Sequence, residues 1–110
     1  MSKRKLESLE YEISSGNVFA DLDIPDAEAM KIKSGLVIEI KRAIERLRLT
    51  QIEASERMGL PQSKVSLILR GHFHNVSEKK MMDCLNRLGY DIEIKLKRTR
   101  KAVGHVLLAA

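Results

Sequence analysis

Tryptophan is absent from this sequence, cysteine occurs once, and the only other aromatics are two Tyr and two Phe. With so little aromatic material, the core has to come from Leu, Ile, Val and Met. The single cysteine, Cys84, excludes an internal disulfide framework and fits a reducing, cytoplasmic setting. It stands in an apolar helical pattern, so a buried, inert thiol is expected. A nucleophile would need a His or Asn partner that no spacing here supplies. No apolar run approaches about 20 residues, so no membrane-spanning helix is expected. The opening MSKRKLESLEYE follows its basic residues with acids rather than an apolar stretch, which argues against a signal peptide. No glycine-rich phosphate loop, nucleophile–base pair or metal cluster is spaced for chemistry, so neither enzymatic activity nor a cofactor is expected. His72 and His74 flank Phe73 but lack a third ligand. His105 lies in the tail without an evident partner.

What is present is a chain of 110 residues, 44% hydrophobic and 32% charged. That suits one helix-leaning domain with a core large enough to fold alone. The net charge of +5 is unevenly spread. Residues 1–30 hold three Lys/Arg against seven Asp/Glu, and residues 31–110 hold seventeen against eight. A basic body argues for a polyanionic partner. The acidic arm suits either a basic partner or solubility.

Four stretches follow from the pattern: an arm at 1–25, a helical domain at 26–90, a strand at 91–97 and a basic, then apolar, tail at 98–110. In the arm, Ser14-Ser15-Gly16-Asn17 is turn-like, and Val18, Phe19, Leu22 and Ile24 form an apolar patch ending at Pro25. Asp26 can cap a helix reaching about Arg48, with Met30, Val37, Ile40, Ile44 and Leu47 on one face. Ser34-Gly35 is its weak point. Thr50 and Glu53 have capping-box spacing for a helix over 51–58. Gly59 ends that helix, Leu60 plugs the corner, and Pro61 opens the next helix at its first position. This second short helix runs to about Leu69 on Val65, Ile68 and Leu69. Ser77 caps a further helix with Met81, Met82, Leu85 and Leu88 inward. The period then switches: Asp91-Ile92-Glu93-Ile94-Lys95-Leu96-Lys97 alternates as a half-buried strand does. A lone strand leaves its backbone unpaired, so an antiparallel ribbon with a second copy, and hence a homodimer, is expected.

Two short helices joined by a glycine turn match helix-turn-helix geometry. Thr50-Gln51, Ala54-Ser55, Gly59-Leu60, Gln62-Ser63, Val65-Ser66, Ile68 and Gly71 resemble, in register, the Cro/repressor-type (XRE-like) helix-turn-helix family. The resemblance covers about Leu36 to Leu88 and implies a mainly α, five-helix DNA-binding bundle. A narrower resemblance spans roughly Gly16 to Leu96. The stretches GNVFADLDIPDAEAM, TQIEASERMGLPQSKVSLILRG, HFHNVS and RLGYDIEIKL are similar to the HigA-type antitoxin branch. That branch implies a repressor of its own operon that also neutralises an RNA-cleaving toxin. Two departures from the family pattern stand out, one at the Ala54-Ser55 pair and one at Leu67. Ala54 stands where a larger aliphatic is usual and Ser55 where Ala is usual, and Leu67 occupies an outward position that in many relatives reads bases.

The second motif helix carries uncharged hydrogen-bonding residues where a surface helix usually carries charge pairs, which fits a DNA groove. Gln62 can bond an adenine edge bidentately, and Leu67 can only touch a thymine methyl. Ser63 and Ser66 can reach a base or a phosphate. Lys64 and Arg70 flank the groove and suit phosphates, as does Gln51 at the first motif helix N-terminus. The expected partners are double-stranded operator DNA, a second copy and, on the narrower resemblance, an RNase-type toxin. The alternative is a stand-alone or phage-type regulator without a toxin. Two readings stay open for the 18–30 segment, namely toxin contact or packing on its own core. Two also stay open for Lys95, Lys97, Arg98, Arg100 and Lys101, namely DNA backbone contact or solvation of the tail.

Overall fold

The computed structural model describes residues 26–109. The expectations for residues 1–25, including the Val18–Ile24 patch, lie outside the described residues. The described part is mainly α, with four helices: α1 (Asp26–Arg46), α2 (Gln51–Met58), α3 (Gln62–Leu69) and α4 (Glu78–Arg87). The expectation of five helices and a strand is not met there. Residues 91–97 carry no ladder, because a strand needs a neighbour and no other strand lies among the described residues.

The long helix α1 is the spine. Its inward stripe is Ile32, Leu36, Val37, Ile40, Ala43 and Ile44, recurring at three- and four-residue spacing. Met30 and Leu47, expected on this face, sit at its ends and are exposed. The helix is not split at Ser34-Gly35. Gly35 instead leaves room for the tail: a Cβ there would stand 2.5 Å from the Leu108 side chain. The tail turns back along α1, with Val106 partly buried against the core. His105, expected to be alone, has its Nδ1 2.5 Å from Glu28 Oε1.

The other side of the core is α4, which buries Met81, Cys84 and Leu85. Ser77 caps it by accepting the Lys80 backbone N–H at 3.0 Å, as its spacing predicts. Beyond α4, Tyr90 reaches the end of α1. Arg46 lies 5.2 Å from the Tyr90 ring centroid and donates to its hydroxyl at 3.2 Å. Cys84 is buried, and that burial pushes its thiol pKa up, against the weaker pull of Lys80. A protonated thiol is a poor nucleophile, which agrees with the inert reading.

All four helices close through the same device, in which a residue with positive φ turns two N–H groups back on the last carbonyls. In α1 that residue is Arg48, at φ 54. Its N–H donates to Glu45 at 3.1 Å, and the Leu49 N–H donates to Ile44 at 3.0 Å. The reversal swings the chain from the end of α1 into α2.

Candidate nucleic-acid interface

Helices α2 and α3 are held by their inner faces. Ala54, Met58 and Val65 are fully buried and Ile68 is nearly so. The small Ala54 lets the two helices approach closely while contributing little apolar area. Ser55 is partly buried and settles its hydroxyl locally, donating to the Ile52 carbonyl at 2.7 Å.

The start of α2 is fixed by its own chain. Thr50 Oγ1 accepts the Glu53 N–H at 3.1 Å, and Glu53 Oε1 accepts the Thr50 N–H at 3.0 Å. The expected capping box is therefore formed. The backbone bond from Thr50, then its hydroxyl, hold the Glu53 carboxyl below its ordinary pKa.

The corner is Gly59, at φ 68. Side chains rarely adopt that conformation. A Cβ there would also come 3.1 Å from the Arg87 guanidinium, itself anchored by its Nε to Asp83 at 3.1 Å. The sequence reading missed Arg87. Its signal was the four-residue spacing from Asp83, which looks like any surface ion pair.

The start of α3 differs from that of α2. Pro61 is its N-cap, one position earlier than expected, and no side chain caps the helix. The Pro61 carbonyl accepts the N–H groups of Lys64 at 3.0 Å and Val65 at 3.1 Å. No hydrogen bond from the N–H groups of Gln62 and Ser63 is formed among the described residues. Those two groups carry the positive end of the helix dipole.

Of the residues singled out from the sequence, Gln62, Ser63, Lys64, Leu67 and Arg70 are exposed and Ser66 is partly so. At about 100° per residue, Gln62, Ser63, Ser66, Leu67 and Arg70 share one side of α3, opposite Val65 and Ile68. Lys64 stands at the flank. Leu67 is 41% exposed, a large apolar side chain left facing solvent. Arg70 folds its Nε back toward the Ser66 carbonyl at 3.4 Å. Gln51 is exposed on the first turn of α2. The side chains of Gln51, Gln62, Ser63 and Lys64 make no hydrogen bond among the described residues, so all are available to an outside ligand.

The surface can thus offer amide and hydroxyl groups on a projecting helix, two unpaired N–H groups at its tip, and cations at the rim. No charged or polar residue is buried among the described residues. No group of three or more His, Cys, Asp or Glu there could hold a metal, and no helix there is long and apolar enough to cross a membrane.

Comparison with known proteins agrees with this geometry. Residues 18–97 match a family described as a helix-turn-helix domain. A solved structure described as an XRE-family transcriptional regulator is similar at 32% identity, covering 78% of this chain and 99% of that one, with a TM-score of 0.72. No match was found among curated proteins.

Proposed function

This chain belongs to the helix-turn-helix domain family, in its XRE-like form, and we propose that it is a sequence-specific DNA-binding repressor of transcription. The observation that carries the reading is the outward face of α3. Gln62, Ser63, Ser66 and Leu67 project from a helix pinned at its back by Val65 and Ile68. Such a helix enters the major groove by its N-terminal residues. Gln62 reads an adenine, Leu67 meets a thymine methyl, and Ser63 and Ser66 bond a base or a phosphate. Lys64, Arg70 and Gln51 hold phosphates and set the register.

The protein acts as a homodimer in this reading, joined partly by an antiparallel ribbon of residues 91–97, and works in the cytoplasm. It is also the antitoxin of an RNA-cleaving toxin encoded beside it. That part is supported by the similarity of GNVFADLDIPDAEAM and RLGYDIEIKL to HigA-type antitoxins. The patch of Val18, Phe19 and Leu22 then supplies the toxin contact. A stand-alone or phage-type regulator is the alternative, supported equally by the motif. Co-purification with the neighbouring gene product, with and without residues 1–25, separates the two.

The test of DNA binding is a titration against the DNA upstream of the gene, with a shuffled duplex as control and several salt concentrations. Affinity for both duplexes falls as salt rises, because bound phosphates release counterions. Gln62→Ala weakens the upstream duplex by about 1–3 kcal/mol and leaves the shuffled one alone. Equal, weak binding to both duplexes would reduce α3 to an ordinary polar surface.

A further inference from the structure

Residues 91–97 leave the bundle beyond Tyr90 and pair with no other segment among the described residues. From 90 to 99 the chain makes no helix, turn or bend. The last backbone bond before it is Tyr90 N–H to Leu85, at 2.9 Å. Asp91 through Lys97 are all exposed, and Ile92, Ile94 and Leu96 are 36%, 48% and 80% exposed. An alternating segment with open edges and a wet apolar face is a template for another strand.

We propose that this segment pairs antiparallel with the same segment of a second copy, in the one register that sets Ile94 on the two-fold axis. The proposal rests on the dimer reading above and adds the register. The charge order is what selects it. With Ile94 facing Ile94, Asp91 faces Lys97 and Glu93 faces Lys95, each pair occurring twice by symmetry. Ile92 faces Leu96 on the opposite face, so the apolar side chains form one continuous row. Opposite charges directly across an antiparallel pair are favourable and like charges are not.

Every neighbouring register fails on these residues. With the axis at Ile92, Asp91 faces Glu93. With the axis at Leu96, Lys95 faces Lys97. With the axis at Glu93 or Lys95, that residue faces itself. A parallel, in-register pairing sets every charge against its own copy. Offsets between these set apolar residues against charged ones and lose the common face. The register matters to function because the ribbon sets the distance between the two α3 helices. Moving the axis by one residue slides the copies by two residues, roughly 7 Å, about two base-pair steps of duplex. The charge order of 91–97 therefore fixes the half-site spacing that the dimer can use.

The test uses the full chain and charge reversal at exposed positions. Dimer dissociation is measured by sedimentation over a dilution series. Lys95→Glu and Glu93→Lys each place like charges across both copies and raise the dissociation constant at least tenfold. The double variant, Glu93→Lys with Lys95→Glu, restores the pairing and returns it to within about threefold of the wild type. In parallel, Ile94→Cys under mild oxidation gives a covalent dimer, since facing Cα atoms are about 4.5–5.5 Å apart. Glu93→Cys and Lys95→Cys, which do not face themselves, give none. A dimer that ignores the single reversals, fails to recover in the double variant, or cross-links at 93 or 95 overturns the register and leaves the dimer standing. A wild-type chain that stays monomeric at every concentration overturns both.

Discussion

Helices α2 and α3 are the same length, eight residues each, yet their first turns stand in opposite chemical states. α2 is closed on itself. Thr50 and Glu53 satisfy its first turn, Gly59 satisfies its last, and Glu53, Glu56 and Arg57 give its exposed side ordinary surface charge. α3 is left open. Pro61 supplies no side-chain cap, no acid sits in its first turn, and no basic residue lies in its last turn. Both are pinned from behind by fully buried side chains. The contrast separates two tasks: α2 is stabilised by its own sequence, whereas α3 leaves its polar valences for a ligand. Stability and binding should accordingly respond to different substitutions.

The largest effect is expected where both helices share the core. Met58→Ala removes a fully buried side chain and should cost about 2–5 kcal/mol, read by denaturant unfolding. Ser63→Ala, on the open face, should change stability by no more than about 0.5 kcal/mol. If the two costs matched, the division between pinned back and open front would be wrong.

A sharper probe is Pro61→Asp. The new carboxylate can accept an N–H at the tip of α3, a gain of about 1 kcal/mol. Losing proline frees the unfolded chain and offsets about 0.4–1 kcal/mol of that, so stability should barely move. Binding should move strongly, because the carboxylate occupies the position a phosphate would take. A tenfold weaker operator complex, about 1.4 kcal/mol, is expected in a titration at constant salt. Undiminished binding would mean that the tip of α3 does not face DNA.

The reverse holds at α2. Thr50→Ala opens the capping box and should cost about 1 kcal/mol of stability with little effect on DNA. The pH dependence identifies the cause. Because folding lowers the Glu53 pKa below its ordinary value of 4.5, its contribution is present above that value. It is lost as pH falls through the lowered folded pKa. The stability gap between the wild type and Glu53→Gln should therefore be widest near neutrality and close in acid. A gap that persists unchanged in acid would assign the effect to packing.

This contrast also marks what the sequence made legible. Thr50, Glu53, Gly59 and Ser77 act through neighbours a few positions away, so their roles could be read from spacing alone. The inward sets on α3 and α4 follow from period in the same way. Pro61 was displaced by one position because a fixed φ suits both the cap and the first helical residue. The misses are long-range. Nothing local says that Gly35 makes room for Leu108, that His105 reaches Glu28, or that Arg46 covers Tyr90. The strand at 91–97 has the right alternation but no partner among the described residues, and period alone cannot supply one. Within the candidate site, the identity of the outward residues was legible. The freedom of the Gln51, Gln62, Ser63 and Lys64 side chains from partners among the described residues was not, because that depends on where every other side chain goes.

The smallest expected effect lies at the turn before α2, where the comparison extends to the two helix ends that frame it. Gly59 and Arg48 both take positive φ, at 68 and 54, and both turn N–H groups back onto the preceding helix. Only one of them is a glycine. The left-handed region costs a side-chain-bearing residue roughly 1–2 kcal/mol, and glycine removes that cost while adding freedom to the unfolded chain. Arg48→Gly should therefore stabilise the fold by about 0.5 kcal/mol, seen as a raised denaturant midpoint with an unchanged slope. The exposed Arg48 side chain makes no hydrogen bond or ion pair among the described residues, so the fold itself gives no reason to keep it. If operator affinity falls and its salt slope shrinks by about one charge as stability rises, Arg48 is retained for a phosphate at the expense of a strained turn. If affinity and slope are unchanged, the arginine is a tolerated strain, and the DNA-facing chemistry begins only at α2.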